Sequence, residues 1–492
     1  MTSLRFTLPI VVSLCAGGPA SASVEDSVVR VFASMRLPHP LRPWAKQNPM
    51  DTMGTGVVID GKVILTNAHI VVYADEIFVQ GREGGDRVPA KVQSIGLDAD
   101  LATLTLEEED FFKDRPPLTM ASKRPSVGQV VTLYGYAVGN SGLSTTQGPV
   151  SRIEYGEYID RGYGLRLQVN ATAWPGNSGG PAVVDGKMAG LVFRRLENMA
   201  YVIPDEEILE YLEDVKDGRY DGKPQLTDKY QTLVNDALRK KLGLGRGDRG
   251  LLIREPGATA GKHPLRENDV LTHIGGVALD NEGMVEIEPN LRLPFLALVP
   301  RLCARGTIPV RLIREGKPLD FPLPVTNEDD RLIKSYHGRY PPYFVHGPLV
   351  FSPVFDAAVA QYAQANPLSA VGSPLSSRET DRVSFPGEEL VAITAPMFTH
   401  KLMRGYTDPV GLVVKDVDGV PVKNLHHLVE LLRDAQGEYL TLHMYGEFAQ
   451  TLVFPRVAIE QATKELMAEN GVPKRGTDDV MAVWNKQSRI AH

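Results

Sequence analysis

At 492 residues the chain exceeds what one hydrophobic core fills, and at roughly 100–200 residues per domain it divides into about three. Hydrophobic residues at 43% and charged residues at 23% exclude a fibrous or a disordered chain. A net charge of −7 with no basic stripe excludes a nucleic-acid binder.

The first 22 residues read as a secretory signal. Arg5 supplies a thin positive region, Leu8 to Cys15 an apolar core, and Ala20-Ser21-Ala22 the small residues of a cleavage site. The apolar run is far short of the ~20 residues that a spanning helix needs, and bulky Leu14 fits a lipoprotein signal at Cys15 poorly. Cleavage leaves Cys303 alone, so no intrachain disulfide is expected, and without a His/Cys cluster no metal site either. The expectation is an exported protein of the periplasm or another extracytoplasmic compartment, with no stable membrane span.

The first block is 23–217, and from Val24 to about Pro204 it reads as almost all β, with short apolar runs at 56–60, 63–65, 77–80 and 130–134 cut by Gly, Asp and Pro. Residues 41–52, with Pro43, Trp44 and Pro49, read as a surface loop. A short amphipathic helix over 208–216 presents Ile208, Leu209, Leu212 and Val215, and the polar 218–224 reads as a linker. The second block, 225–325, offers a helix at 236–242, strands near 250–254 and 268–274, and a hairpin turning at Glu315-Gly316. The third block, 331–480, repeats that order of elements, with helices at 355–366, 425–433 and 457–470 and strands at 389–393, 411–419 and 439–445. Residues 481–492 read as a polar tail.

Gly176-Asn177-Ser178-Gly179-Gly180-Pro181 sets one serine among glycines. Glycine permits backbone angles that aim successive N–H groups one way, and a hydroxyl beside such donors is what acyl transfer requires. Serine needs a base, and the same block holds His39, between two prolines, and His69, at the end of an apolar strand. An acid must orient the base. Asp100, immediately before the apolar run 101–104, is favoured over Asp98, which reads as solvated, and over Asp75 and Asp60 in plain turns.

Thr66-Asn67-Ala68-His69, Asp98-Ala99-Asp100-Leu101-Ala102 and 176–181, in that order, resemble the HtrA/Deg family of chymotrypsin-like serine proteases. Gly54-Thr55-Gly56 and Val202-Ile203-Pro204 fit as well, with Thr55 where a serine is common. Residues 236–240, 421–425 and 466–480 resemble the plant Deg branch, which has an atypical second PDZ domain. The resemblance spans roughly 25–480 and implies a mainly β chain: a trypsin-like double β-barrel followed by two PDZ-like α+β domains. It further implies Ser178 as nucleophile, His69 as general base, Asp100 as orienting carboxylate, and the N–H groups of Gly176 and Ser178 as oxyanion hole. Asn177 would shape that loop. Homotrimers or multiples of them are implied too, and Val28, Val29, Val31 and Phe32 are candidates for packing between subunits.

In this fold the residue six before the nucleophile lies at the pocket floor. Here it is uncharged Thr172, with Leu191, Val192, Phe193 and Val202 as apolar walls. The expectation is cleavage after small or medium aliphatic residues by an ATP-independent, cofactor-free endopeptidase acting on unfolded proteins and peptides. In the second block, Arg249-Gly250-Leu251-Leu252 resembles the loop that holds a peptide carboxylate, with Leu251, Leu252 and Ile253 as the strand that pairs with the peptide. In the third, Glu388 and Glu389 stand where a peptide carboxylate would bind and are expected to repel it. The alternative from another class is a peptide-binding chaperone or scaffold with little proteolysis.

Overall fold

A computed structural model describes residues 23–81, 85–140, 142–159, 162–257, 264–365, 367, 372–395 and 398–486. The signal segment 1–22 lies outside the described residues.

Six strands, β1 (Val28–Met35), β2 (Met50–Ile59), β3 (Val63–Thr66), β4 (Ala74–Gln80), β5 (Val88–Gly96) and β6 (Leu101–Leu106), close into a barrel in the order β1-β2-β3-β6-β5-β4. Six more, β7 (Val130–Tyr136), β8 (Leu143–Glu157), β9 (Tyr163–Val169), β10 (Pro181–Val184), β11 (Lys187–Leu196) and β12 (Met199–Pro204), close a second barrel in the order β10-β11-β12-β9-β8-β7. Alternation explains the first strand: Val29, Val31, Ala33 and Met35 are buried while Arg30, Phe32 and Ser34 between them are only partly so. The expectation that Val28, Val29 and Val31 pack between subunits is therefore corrected, since all three are fully buried within their own domain. Burying such a side chain is worth about 1.5–3 kcal/mol, and the barrel already collects it.

A joint core of Val57, Leu65 and Leu101 from the first barrel with Leu191, Phe193 and Ile203 from the second fixes the two barrels to each other. Helix α2 (Asp205–Asp214) seals it with Ile208 and Tyr211, whereas Leu209, expected on the apolar face, is exposed. Nor is 218–224 a free linker. The Tyr220 hydroxyl donates to Asp98 at 2.6 Å, and the Lys223 N–H donates to the other oxygen of Asp98 at 3.1 Å. Asp98, read as solvated, thus moors the segment leaving the barrels.

The second block is built on a sheet ordered Lys229–Thr232, Leu251–Glu255, Val270–Ile274, Thr307–Arg314, Lys317–Pro324. A separate hairpin, Met284–Glu288 with Leu291–Pro294, leans on the second barrel. Leu293 and Ala297 bury with Leu165 there. Arg124 bridges Glu206 at 3.0 Å and Glu288 at 2.7 Å, and Arg301 reaches back to Glu206 at 2.8 Å.

The third block has two sheets, 344–346/349–353/391–393 and 420–421/414–417/439–444/452–455, around the helix Leu425–Asp434. The tail is not all polar: helix Asp478–Trp484 buries Val480 and packs Met481, Val483 and Trp484 on this core. Glu388 is not a free repulsive charge either. Burial opposes its ionisation, but Arg378 at 2.8 Å and the Ser384 N–H hold its carboxyl below the usual range. Glu389 accepts the Leu425 N–H at 3.2 Å. The loop 36–49 ends on this block as well, with Trp44 against Tyr343 and Phe398.

Candidate active site

Strand β3 ends at Thr66, and helix α1 (Ala68–Val71) begins two residues later, which lifts His69 off the barrel rim. Asp100 sits in the turn before β6 with φ of +52°, a left-handed geometry that a short acidic side chain tolerates better than most. Its carboxylate is almost fully buried and lies 2.9 Å from His69 Nδ1 through both oxygens. It also accepts the His69 backbone N–H at 3.0 Å. An acid on Nδ1 makes that nitrogen the protonated one, leaving Nε2 free to accept a proton. Asn67, fully buried, donates to the Asp100 carbonyl at 2.9 Å and so holds the turn itself.

The serine loop is shaped by what happens to its carbonyls. Trp174 accepts from the Asn177 N–H at 3.0 Å, Pro175 from Val138 at 2.7 Å, and Asn177 from Gly180 at 2.9 Å. The Gly176 carbonyl accepts the Thr55 hydroxyl at 2.7 Å, and the Ser178 carbonyl the Thr55 N–H at 2.8 Å. Every carbonyl from 174 to 178 is thus turned away and tied. Among the described residues the N–H groups of Gly176 and Ser178 have no protein acceptor. Two adjacent free donors beside a hydroxyl can hold a developing oxyanion.

Glycine is required at two places. Gly176 has φ of +98°, and a Cβ there would stand 2.4 Å from the Tyr136 carbonyl oxygen. Gly179 has φ of +85°, and its Cβ would stand 1.9 Å from the Thr55 carbonyl oxygen. Asn177 is buried in space that Gly135 leaves open.

The Ser178 hydroxyl donates to the Phe193 carbonyl at 3.3 Å, not to His69. Catalytic contacts are commonly loose before substrate binds, so this resting hydrogen bond does not exclude His69 as the base.

Residues 54–191 match the trypsin-like peptidase domain family, and residues 334–479 match the PDZ domain family. The mitochondrial protease Do-like 4 of Arabidopsis thaliana is 32% identical over 93% of this chain and 87% of its own length. The chain belongs to the HtrA/Deg family of serine proteases. The chloroplastic protease Do-like 2 of the same plant is 30% identical over 94% of this chain and 76% of its own. In fold, a serine-to-alanine variant of the HtrA-type protease AlgW with a decapeptide superposes with a TM-score of 0.50 at 20% identity, over 62% of this chain and 95% of that one.

As an HtrA/Deg protein the chain is a serine-type endopeptidase. The other expected site residues are placed as follows. Thr172 is exposed, and its carbonyl accepts the Thr146 hydroxyl at 3.0 Å. Leu191 and Phe193 pack between the barrels, and Val192 and Val202 fill the second barrel with Ala171 and Ala173. The expected peptide-pairing strand is corrected. Leu251–Glu255 is hydrogen-bonded to Lys229–Thr232 on one side and to Val270–Ile274 on the other, so Leu251, Leu252 and Ile253 present no free edge. Gly250 serves packing, since a Cβ there would meet the Leu271 carbonyl oxygen at 2.3 Å. The edge strands of that sheet are Lys229–Thr232, with Gln231 and Thr232 exposed, and Lys317–Pro324. Residue reading missed three further contributors: the Thr55 hydroxyl, the Asn67 amide and the Phe193 carbonyl. Thr55 and Asn67 stood inside quoted motifs. The Phe193 carbonyl left no signal, because any residue carries one.

Proposed function

We propose that this HtrA/Deg protease degrades unfolded proteins without ATP, by acyl-enzyme catalysis at Ser178. The observation that carries this reading is the loop whose five tied carbonyls leave the Gly176 and Ser178 N–H groups open, next to a histidine bound through Nδ1 to a buried aspartate. A substrate strand entering the cleft places the N–H before its cleaved bond on the Phe193 carbonyl, which releases the Ser178 hydroxyl toward His69. His69 Nε2 takes the proton as Oγ attacks the carbonyl carbon. The two N–H groups stabilise the tetrahedral oxyanion, and Asp100 steadies the imidazolium. His69 then protonates the leaving amine, and water, activated by the same nitrogen, hydrolyses the acyl-enzyme. Uncharged Thr172 supports cleavage after small or medium aliphatic residues rather than after Lys or Arg. No step calls for a metal or cofactor.

The edge strand Lys229–Thr232 supports capture of unfolded segments by strand addition. Export to the periplasm or another extracytoplasmic compartment rests on the leader reading of residues 1–22, and the relatives' names place those proteins in mitochondria and chloroplasts. Assembly into homotrimers or their multiples rests on family membership, and native mass measurement tests it.

One observation favours a second reading, a peptide-holding chaperone: at rest the Ser178 hydroxyl is engaged by Phe193 instead of His69. Casein digestion by the wild type beside Ser178→Ala separates the two. Proteolysis requires casein to disappear with the wild type alone. Intact casein in both, with client aggregation suppressed, establishes the chaperone.

A further inference from the structure

The substrate-facing edge of the second barrel carries a charge signature that the catalytic reading does not use. Strand β10 pairs with β11 only as far as Leu191, whereas β12 follows β11 from Gly190 to Leu196. Among the described residues, Arg194, Arg195 and Leu196 are therefore paired along one edge and unpaired along the other, while Phe193 sits at a bulge in that ladder. That free edge begins at the active serine, since the Phe193 carbonyl is the group 3.3 Å from Ser178 Oγ. An extended chain presenting its carbonyl carbon to Ser178 has this edge as its strand partner.

Beyond Phe193 the edge is Arg194, partly exposed, and Arg195, exposed. Neither guanidinium has a hydrogen bond or ion pair to a carboxylate among the described residues, although Arg124, Arg301, Arg311 and Arg314 all do. Successive residues of a strand face opposite ways, so one arginine stands on each face of the edge. Antiparallel pairing of the residue before the cleaved bond with Phe193 puts the second residue before it opposite Arg194 and the third opposite Arg195. Directly opposed side chains lie on the same face within contact range.

We propose that Arg194 and Arg195 select substrates carrying acidic residues at the second and third positions on the N-terminal side of the cleaved bond. This deepens the protease reading and rests on it. The preferred substrate is an extended segment with Asp or Glu ahead of an aliphatic residue. Exposed cross-strand ion pairs of this kind correspond to about two- to five-fold in rate each, so the two together give about ten-fold.

The test uses fluorogenic peptides that share one aliphatic residue before the cleaved bond and vary Glu, Gln and Lys at the second and third positions. They are assayed with the full-length wild type, Arg194→Glu, Arg195→Glu and the neutral Arg194→Gln and Arg195→Gln. The expected wild-type order in kcat/KM is Glu over Gln over Lys at both positions, shrinking at high salt as exposed pairs are screened. Arg194→Glu inverts the order at the second position only, Arg195→Glu at the third only, and the glutamine variants flatten each. Cleavage indifferent to peptide charge, or an order unchanged in the variants, overturns the proposal while leaving the protease reading standing. Absence of cleavage in the wild type, identical to Ser178→Ala, overturns both.

Discussion

The Thr55 hydroxyl donates to the Gly176 carbonyl at 2.7 Å and accepts the Tyr136 N–H at 2.9 Å, so one buried side chain ties the oxyanion loop to β7. Thr55→Val keeps the shape and removes both bonds. The expected result is a kcat loss of about ten-fold or more, as the loop's donors lose their aim. A stability loss of about 1–3 kcal/mol follows from the unpaired buried carbonyl and N–H. Thr55→Ser restores both. Peptide kinetics and urea unfolding on the three proteins check it.

Gly176→Ala is expected to be worse than Thr55→Val. Its Cβ is directed at the Tyr136 carbonyl oxygen from a left-handed backbone, so the loop must rearrange. A loss of about a hundred-fold in kcat, on the scale of removing one oxyanion donor, with binding of a substrate peptide to Ser178→Ala/Gly176→Ala retained, is the predicted pattern.

Tyr340 of the third block meets Tyr73 edge-on, with ring centres 5.7 Å apart, four residues after His69. Tyr73 holds φ of +60°, an unfavourable geometry for an aromatic residue that costs of order 1–3 kcal/mol. The Tyr73 hydroxyl donates to the Arg339 carbonyl at 3.3 Å, and Tyr340 donates to the Arg36 carbonyl at 2.7 Å. Tyr340→Ala is expected to lower kcat several-fold with KM unchanged, because the segment behind His69 relaxes. Tyr340→Phe, which keeps the ring and loses the hydroxyl contacts with Arg36 and Lys46, should lose less.

Acidity gathers where the second block meets α2. Burial, reinforced by Glu207 and opposed by Arg301 and Lys223, pushes Glu210 up to about 7, and burial pushes Asp205 up to about 6. A carboxyl raised above its unfolded value favours the folded state most below the unfolded pKa, and that contribution is lost as pH climbs through the folded pKa. Thermal stability should therefore fall from about pH 4 to about pH 7 and level off above that. Glu210→Gln should flatten that fall. A melting profile of the two proteins across this range decides it.

The triad was legible because His69, Asp100 and Ser178 each sit in a short run whose residue types have few other uses. What escaped was tertiary. Lys229–Thr232 is polar and carries no strand signal, yet it is an edge strand of the second block. The apolar Leu251–Glu255 looks like a binding strand but is interior, since residue composition does not say which neighbours a strand finds. Val28, Val29 and Val31 show the same ambiguity, because an apolar strand suits a barrel as well as a subunit interface. Glu388 reads as repulsive beside Glu389, because only the fold brings Arg378, ten residues upstream, against its carboxylate.

The proposed chemistry requires Ser178, deprotonated by His69, to be the nucleophile. The most direct measurement is covalent labelling with a fluorophosphonate probe, read by mass spectrometry of the peptide containing Ser178. Stoichiometric modification at Ser178 in the wild type, strongly slowed labelling in His69→Ala and none in Ser178→Ala are expected. Labelling at another residue, or equal labelling with and without His69, would contradict it.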